Sequence, residues 1–519
     1  VGSEMCIRDR YNACLYIDFD KNIAIIKMSK FLMFRSIGGK TMDNYRRKTK
    51  IICTIGPASC SEDKLKELML AGMNVARFNF SHGEYETFEE WFASVEKVRR
   101  QLDIPVATLL DTKGPEVRTG CFKDPNGIFL NAGDEFILTA DDVEGTKEKC
   151  SISYKGLPRD VKEGTVILID DGLISLKVKA VKNNDIICTV VDGGPITNHK
   201  GVNVPNVSLA LPYLSEKDMQ DLKFGAKMGF DFIAASFCRT GADIVYLRNF
   251  CHALGWNDVR IIAKIENNEG VDNIDDIIRE ADGIMVARGD MGVEIPFEKI
   301  PSIQKVIIEK VFAAGKIVVT ATQMLESMIK NARPTRAEIT DVANAVYDGT
   351  SALMLSGETA MGAHPVEAVK TMALIARTAE QDIDYVGRFE KFAPKHLPGD
   401  ITSAISHATV TTAHDLNAKA IITVTKSGTT ARQISKYRPH CLIISATTSE
   451  KVRRQNNLSW GVLPVMCEEK SNTDELFEHA VAVAKQTGMI EKGDIVVITA
   501  GIPLGQSGTT NMLKVHEVE

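Results

Sequence analysis

The sequence predicts a (β/α)8 TIM barrel that carries an inserted all-β lid domain and is followed by a C-terminal three-layer α/β domain. Three observations lead there. Eight short apolar runs alternate with amphipathic helical patterns, the alternation breaks once across residues 114–212, and a second α/β series begins after residue 385. A chain of 519 residues is also too long for one ordinary core, so several domains are expected.

The eight runs occupy residues 50–56, 74–80, 106–112, 231–237, 260–266, 283–288, 317–322 and 352–357. Near-continuous apolar runs joined by helices mean parallel strands covered on both faces. Eight such βα units close into a barrel, here formed by residues 42–113 and 213–385. Residues 114–212 are richer in Gly, Asp, Val and Thr and alternate polar with apolar at 165–169 and 174–180. That pattern reads as a small β domain, with Pro115 and Pro212 near its ends as hinges. Residues 386–519 carry strand patterns at 420–425, 441–447, 461–467 and 494–501, plus an edge strand at 511–518. The first 41 residues lack the basic, apolar, then small order of a secretory signal. They read as a leader of doubtful authenticity before a more natural start at Met42.

Composition narrows the function. A net charge of −6, no long basic run and 6% aromatic residues argue against a nucleic-acid or membrane-surface partner. No stretch of roughly 20 apolar residues stands out as a membrane span. Eleven scattered cysteines without a C-x-x-C pair suit a reducing, cytoplasmic setting better than disulfides or zinc. His407 and His414 share a helix face and read as structural.

Barrel chemistry sits at the C-terminal ends of the strands, and seven of the eight ends here carry oxygen donors or cations. The second ends in Arg77, Asn79 and Ser81, spaced by two and so on one side of an extended segment. The third ends in Asp111 and Thr112, the fourth in Ser236, and the fifth in Lys264 and Glu266. The sixth ends in Ala287, Arg288, Gly289 and Asp290, the seventh in Thr322 and the eighth in Glu358. Glu266 and Asp290, with no His or Cys beside them, favour Mg2+ or Mn2+ over zinc. Asn79, Ser81, Asp111 and Thr112 offer one formal charge and several neutral oxygens, a set suited to a monovalent cation. Lys264 is placed to neutralise charge on a transferring group. Its rival role is Schiff-base nucleophile, which prefers an apolar pocket and is opposed by Glu266 two residues away. In the C-terminal domain, Thr425, Lys426, Ser427, Gly428, Thr429 and Thr430 join a strand to a helix and read as a phosphate cradle. Residues 507–510 form a second small-residue loop positioned to close over it.

From about Arg47 onward these residues lie in motifs that resemble the pyruvate kinase family. The motifs are Lys50-Ile-Ile-Cys-Thr-Ile-Gly-Pro, Arg77-Phe-Asn-Phe-Ser-His-Gly, Leu110-Asp-Thr-Lys-Gly-Pro-Glu-Val-Arg, Lys264-Ile-Glu-Asn, Met285-Val-Ala-Arg-Gly-Asp, Ala321-Thr-Gln-Met-Leu-Glu-Ser-Met, Arg333-Pro-Thr-Arg-Ala-Glu and Leu355-Ser-Gly-Glu-Thr. The resemblance implies phosphoryl transfer between phosphoenolpyruvate and ADP, giving pyruvate and ATP as the last step of glycolysis, in a cytoplasmic homotetramer. It implies that Lys264, Arg77 and Thr322 are catalytic, with Thr322 relaying a proton through water. It implies that Arg77, Ser236, Lys264, Ala287, Arg288, Gly289, Asp290 and Thr322 meet the substrate, and that Glu266 and Asp290 hold Mg2+. It further implies K+ at Asn79, Ser81, Asp111 and Thr112, and nucleotide at Asn79, Ser81, His82, Arg118 and Lys200. Glu116 matches the K+-dependent branch. The loop at 501–508 lacks the tryptophan and arginine with which the animal enzymes grip fructose 1,6-bisphosphate. The allosteric effector expected at the cradle is therefore open among that sugar, a sugar monophosphate and AMP. Two other readings compete: a barrel lyase or aldolase stabilising an enolate on Mg2+, and a non-catalytic sensor on the same scaffold.

Overall fold

The computed structural model describes residues 46–81, 83–392, 400–470, 472–503 and 510–519. Eight parallel strands close into a barrel: β1 Lys50–Thr54, β2 Val75–Asn79, β3 Ala107–Asp111, β4 Phe232–Ala235, β5 Arg260–Ile265, β6 Gly283–Ala287, β7 Ile317–Ala321 and β8 Ala352–Leu355. Sequence neighbours pair around the ring, and β1 pairs with β8 to close it. Alternation within each strand decides what faces where. On β2, Phe78 packs with Phe92 and Phe230 in the outer layer, whereas the intervening Arg77 turns to Thr54 and Asp111. Phe80 continues the aromatic layer, stacked on Phe88 at 4.3 Å. Such pairs contribute about 0.5–1.5 kcal/mol each beyond their buried area, which fixes the strand whose alternate residues carry charge.

Between β3 and β4 the chain forms a seven-stranded sheet and a two-stranded sheet around their own apolar cluster, Val117 to Val204. One short helix, Leu157–Asp160, is the sole helical element there among the described residues. The exit and return of this insertion are tied together, because the Asp218 carboxylate accepts the Gly114 N–H at 3.0 Å. Asp218 also closes a capping box with Ser215 that starts the returning helix, Glu216–Met228. The insertion leans on the barrel mouth through Asn203 to Glu294, Asn268 to Asn206 and Ser208 to Glu269, at 3.4, 3.0 and 3.1 Å.

The C-terminal part is a five-stranded sheet in the order Val462–Met466, Leu442–Thr447, Ala420–Val424, Ile495–Ala500, Met512–Glu517. The first four strands are parallel, and the last is the expected antiparallel edge strand. It packs on the N-terminal end of the barrel. There Asp231, which shows no exposed surface, accepts a bidentate contact from Arg454 at 3.0–3.1 Å. The basic patch at residues 46–48 belongs to the same interface. Lys48 and Thr49 donate backbone N–H groups to Glu380, and Lys48 Nζ reaches the His440 carbonyl at 2.7 Å. No described helix is long and apolar enough to cross a membrane.

Candidate active site

The C-terminal end of β5 delivers Lys264 into the barrel mouth, 8% exposed. A buried ammonium is costly unless paired, and this one has three partners. Asp111 Oδ1 on β3 lies 3.1 Å away, Ser236 Oγ after β4 lies 2.8 Å away, and Glu266 Oε1 lies 2.8 Å away. Burial works against the ammonium, but the charges of Asp111, Glu266 and Asp290 outweigh it and hold its pKa above that of an ordinary lysine. Lys264 is therefore an ammonium, not a free amine. Asp111 bridges it to Arg77, whose Nε donates at 2.6 Å while its Nη1 donates to Thr54 Oγ1 at 2.8 Å. Burial alone would raise Asp111, but Arg77 and Lys264 overcome that and hold the carboxyl below its usual range.

Glu266 is 1% exposed and accepts the Phe237 N–H on Oε2 at 2.6 Å. Its Oε1 touches Lys264 but has no partner at hydrogen-bonding geometry. Burial pushes this carboxyl up to about 8, and the charge of Asp290 adds to that against Lys264. Asp290 is exposed in the first turn of the helix Arg288–Glu294, with no hydrogen bond or ion pair among the described residues. Two carboxylates that repel each other, one with an orphaned buried oxygen, are a donor set that fits a hard divalent cation. Among the described residues no cluster of three or more His, Cys, Asp or Glu competes for a metal.

The set expected to hold a monovalent cation is also brought together. Asn79 and Asp111 are register partners on β2 and β3. Asn79 Oδ1 accepts the Ser81 N–H at 3.2 Å, and Thr112 Oγ1 accepts the Ser236 N–H at 3.1 Å. His82 lies outside the described residues. Arg118 and Lys200 sit side by side in the insertion, where Gly201 pairs with Arg118. Arg118 is held by Glu116 Oε2 at 2.8 Å and by the His199 carbonyl at 2.8 Å, and Lys200 Nζ by Asp170 at 2.9 Å.

Thr322 adopts φ +68° and Gln323 φ +54°, both costly for side chains with a Cβ. The strain aims the Thr322 hydroxyl at the Gly289 N–H, which it accepts at 2.7 Å, while it donates to the Ala321 carbonyl at 2.6 Å. Phe237 is likewise left-handed at φ +52°, and that conformation presents its N–H to Glu266.

Two expectations need correction. Arg288 was expected to meet the substrate, yet its guanidinium is engaged by Asp341 at 2.8 Å and by the Thr322 carbonyl at 2.8 Å. The chain enters a helix at this residue, so the side chain braces the loop after β7 while Ala287, 1% exposed, remains a wall of the barrel. Glu358 does not offer its carboxylate to the mouth. It is 1% exposed and accepts the backbone N–H groups of Leu325 and Ser356 at 3.1 and 2.7 Å. Thr54 and the Phe237 N–H were missed. A threonine ending an apolar run and a phenylalanine carry no signal that they will orient charges.

In the C-terminal domain Gly428 lies at φ +78°, where an added Cβ would fall 2.5 Å from Asn456 Oδ1. Its N–H is accepted by Thr425 Oγ1 at 2.9 Å, and Thr430 meets Thr510 at 2.8 Å. Lys426 pairs with Glu469 at 3.1 Å, and Ser427 meets Thr429 at 3.0 Å. Residues 507–509 lie outside the described residues.

Residues 46–369 match the sequence-family model described as pyruvate kinase, barrel domain, and residues 403–516 match pyruvate kinase, alpha/beta domain. A pyruvate kinase of Clostridium acetobutylicum is 52% identical over 477 residues, 91% of this chain and 100% of that protein. A pyruvate kinase of Staphylococcus aureus is 51% identical over 475 residues, 91% of this chain and 80% of that protein. The crystal structure of a pyruvate kinase from Cryptosporidium parvum superposes with a TM-score of 0.88 at 41% identity, covering 94% of this chain and 99% of that one.

Proposed function

This chain belongs to the pyruvate kinase family, and we propose that the charged cluster around Lys264 is where it carries out that family's reaction. The enzyme is a phosphotransferase that moves the phosphoryl group of phosphoenolpyruvate to ADP, giving pyruvate and ATP in glycolysis. The observation that carries the assignment of the site is the Lys264 ammonium, buried and held between Asp111, Ser236 and Glu266.

Phosphoryl transfer asks for alignment and charge neutralisation rather than a covalent intermediate. Lys264 offsets negative charge on the moving group, and its fixed partners keep it from reorganising during the step. Arg77, oriented by Thr54 and Asp111, binds the phosphate end of the substrate. Gly289, Asp290 and Thr322 line the carboxylate end, with Thr322 orienting the Gly289 N–H. Glu266 and Asp290 would hold Mg2+ or Mn2+, which supplies Lewis-acid charge when bound. Asn79, Ser81, Asp111 and Thr112 would hold K+, which supplies a fixed positive charge. Arg118 and Lys200 on the inserted lid, together with Asn79, Ser81 and His82, grip the nucleotide, and the lid excludes water from the enolate. Thr322 relays the proton to that enolate through water.

The lyase reading needs Lys264 as a free amine, and a pKa held above the ordinary lysine value opposes it. The sensor reading predicts damage to Lys264, Glu266 or Asp290, and all three are intact. We further infer a cytoplasmic homotetramer activated by a phosphorylated effector at Thr425, Lys426, Ser427, Gly428, Thr429 and Thr430. The test is pyruvate formation from phosphoenolpyruvate and ADP, with and without Mg2+, K+ and a panel of phosphorylated sugars and nucleotides. The expected result is turnover requiring both ions and stimulated by at least one effector. Absence of ATP formation with both ions present would remove the proposed site from this role.

A further inference from the structure

A cleft of about 180 Å3 lies between the N-terminal face of the barrel and the C-terminal domain. It is comparable to the ~150 Å3 cavities that accept a benzene-sized molecule. Four cations line it: Lys316 from the barrel, and Arg432, Lys436 and Arg438 from the C-terminal domain. The lining acid, Asp282, is already engaged by Arg248, Arg260 and the Ile261 N–H at 2.9–3.0 Å. Lys316 Nζ sits among the carbonyls of Ile278, Arg279 and Ala281, without a carboxylate. Lys436 Nζ has no hydrogen bond or ion pair among the described residues; it lies 5.5 Å from the Tyr437 ring and feels the charge of Asp400. The Arg438 guanidinium lies 4.5 Å from the Trp460 ring, and its Nη1 is buried without an acceptor. Burial pushes both Arg432 and Arg438 down to about 9, and it lowers Lys316 and Lys436 as well. Four half-buried cations around one cleft, where Asp282 is the one acid among the lining residues and is already engaged, favour an anion there.

We propose that this cleft binds a small phosphate-bearing anion, at a site that adjoins the loop 425–430, whose Thr429 forms part of its wall, and is coupled to that loop through Arg432. Arg432 carries the coupling because its two terminal nitrogens donate out of the cleft to that loop, to the Ser427 carbonyl at 3.2 Å and to Thr429 Oγ1 at 3.0 Å. An anion that engages Arg432 from the cleft side competes with those two bonds. Phosphate is favoured over a carboxylate because the opening is walled by donors from several directions, and phosphate accepts on three or four oxygens.

Reductive methylation of the full chain, read lysine by lysine by peptide mass spectrometry, tests this on the unsubstituted protein. In inorganic phosphate Lys436 is expected to react at least about threefold more slowly than in potassium chloride of equal ionic strength, which controls for screening. Arg432→Gln is expected to abolish that protection. Lys426→Gln, in the cradle loop, is expected to keep it. Repeating the measurement with glycerol 3-phosphate separates the sources: stronger protection assigns the cleft to phosphate esters, and equal or weaker protection to inorganic phosphate. Equal reactivity in phosphate and chloride would overturn the proposal. So would protection that disappears in Lys426→Gln yet survives in Arg432→Gln, because the anion would then be in the cradle.

Discussion

Replacing Lys264 by Met removes the buried ammonium held between Asp111, Ser236 and Glu266 while nearly conserving side-chain length. Its environment sets the size of the effect. Lys264, Asp111 and Glu266 are 8%, 1% and 1% exposed, so bulk water does not screen the site. A unit charge ~4 Å from a developing charge, at an effective dielectric constant of ~20, contributes about 4 kcal/mol. That is about three orders of magnitude in rate. Substrate binding should survive, because Arg77 keeps Asp111 at 2.6 Å and the phosphate end of the substrate retains its guanidinium. The folded state is weakened, since breaking a buried ion pair costs about 3–5 kcal/mol when the remaining charge cannot adapt. Here Glu266 adapts by taking up a proton, its carboxyl already standing at about 8. The assay is kcat for pyruvate formation at saturating substrate, beside phosphoenolpyruvate affinity measured in the absence of ADP and a thermal melt to confirm folding. A folded variant keeping more than about a tenth of wild-type kcat, a barrier change of only ~1.4 kcal/mol, would remove Lys264 from its role.

Glu116→Lys exchanges the carboxylate that holds Arg118 at 2.7 Å for a third cation beside Arg118 and Lys113. The K+ requirement should weaken, read as the ratio of kcat/KM with and without K+; an unchanged ratio contradicts the monovalent-site reading. Asp231→Asn removes the carboxylate that Arg454 grips at the base of β4, while Arg99, 4.0 Å from Asp231, keeps Glu96 at 2.9 Å. A loss of about 3–5 kcal/mol is expected in urea unfolding, and a loss below about 1 kcal/mol would show that the pair contributes little. Burial first, then the neighbouring His440, pushes His414 down to about 4. The folded state therefore keeps this imidazole neutral, and the unfolded chain protonates first as pH falls below ~6.5. Stability from this group is fully present above that pH and drains away between 6.5 and about 4. Because His414 is partly exposed, roughly 1–2 kcal/mol is a fair size for it after allowing for screening. His414→Gln should flatten the fall in melting temperature across that window; an unchanged slope places the proton uptake elsewhere.

The barrel was legible because its strands are covered on both faces, so each reads as an apolar run whose end is punctuated by charge. Lys264 and Glu266 stood out for that reason, since two charges closing a run such as 260–266 demand partners. What the run could not reveal was who the partners are. Ser236 and Asp111 reach Lys264 across sequence separations of 28 and 153 residues. Lys48 was visible as part of a basic patch, but its carboxylate partner Glu380 lies 332 residues away. Arg288 and Glu358 were misread by the rule that worked elsewhere. Both follow a strand end, but the chain has already turned into a helix, and their side chains brace the loops instead. The left-handed conformations of Phe237, Thr322 and Gln323 have no compositional signature at all, because glycine or asparagine is the residue that advertises them.

The two ends of the barrel obey one electrostatic rule with different outcomes. At the base, Arg454 is matched by Asp231, and Lys50 Nζ donates to the Val462 carbonyl at 2.7 Å, so these charges join the barrel to the C-terminal domain and have little left for a ligand. At the mouth, among the described residues, Glu266 Oε1 is met by the Lys264 ammonium alone, at 2.8 Å, and Asp290 has no hydrogen bond or ion pair. A shortfall of partners, rather than an abundance of charge, is what distinguishes a site that receives an ion from an interface that needs none. The same criterion singles out the cleft around Arg432 and Lys436 at the base, where the shortfall has the opposite sign. β4 runs between the two ends, with Asp231 just before its first residue and Ser236 just after its last. Five residues of extended chain span about 17 Å. A shift of Arg454 against Asp231 is thus one rigid strand away from the hydroxyl that positions Lys264, and Asp231→Asn should change kcat as well as stability if that strand transmits movement of the C-terminal domain.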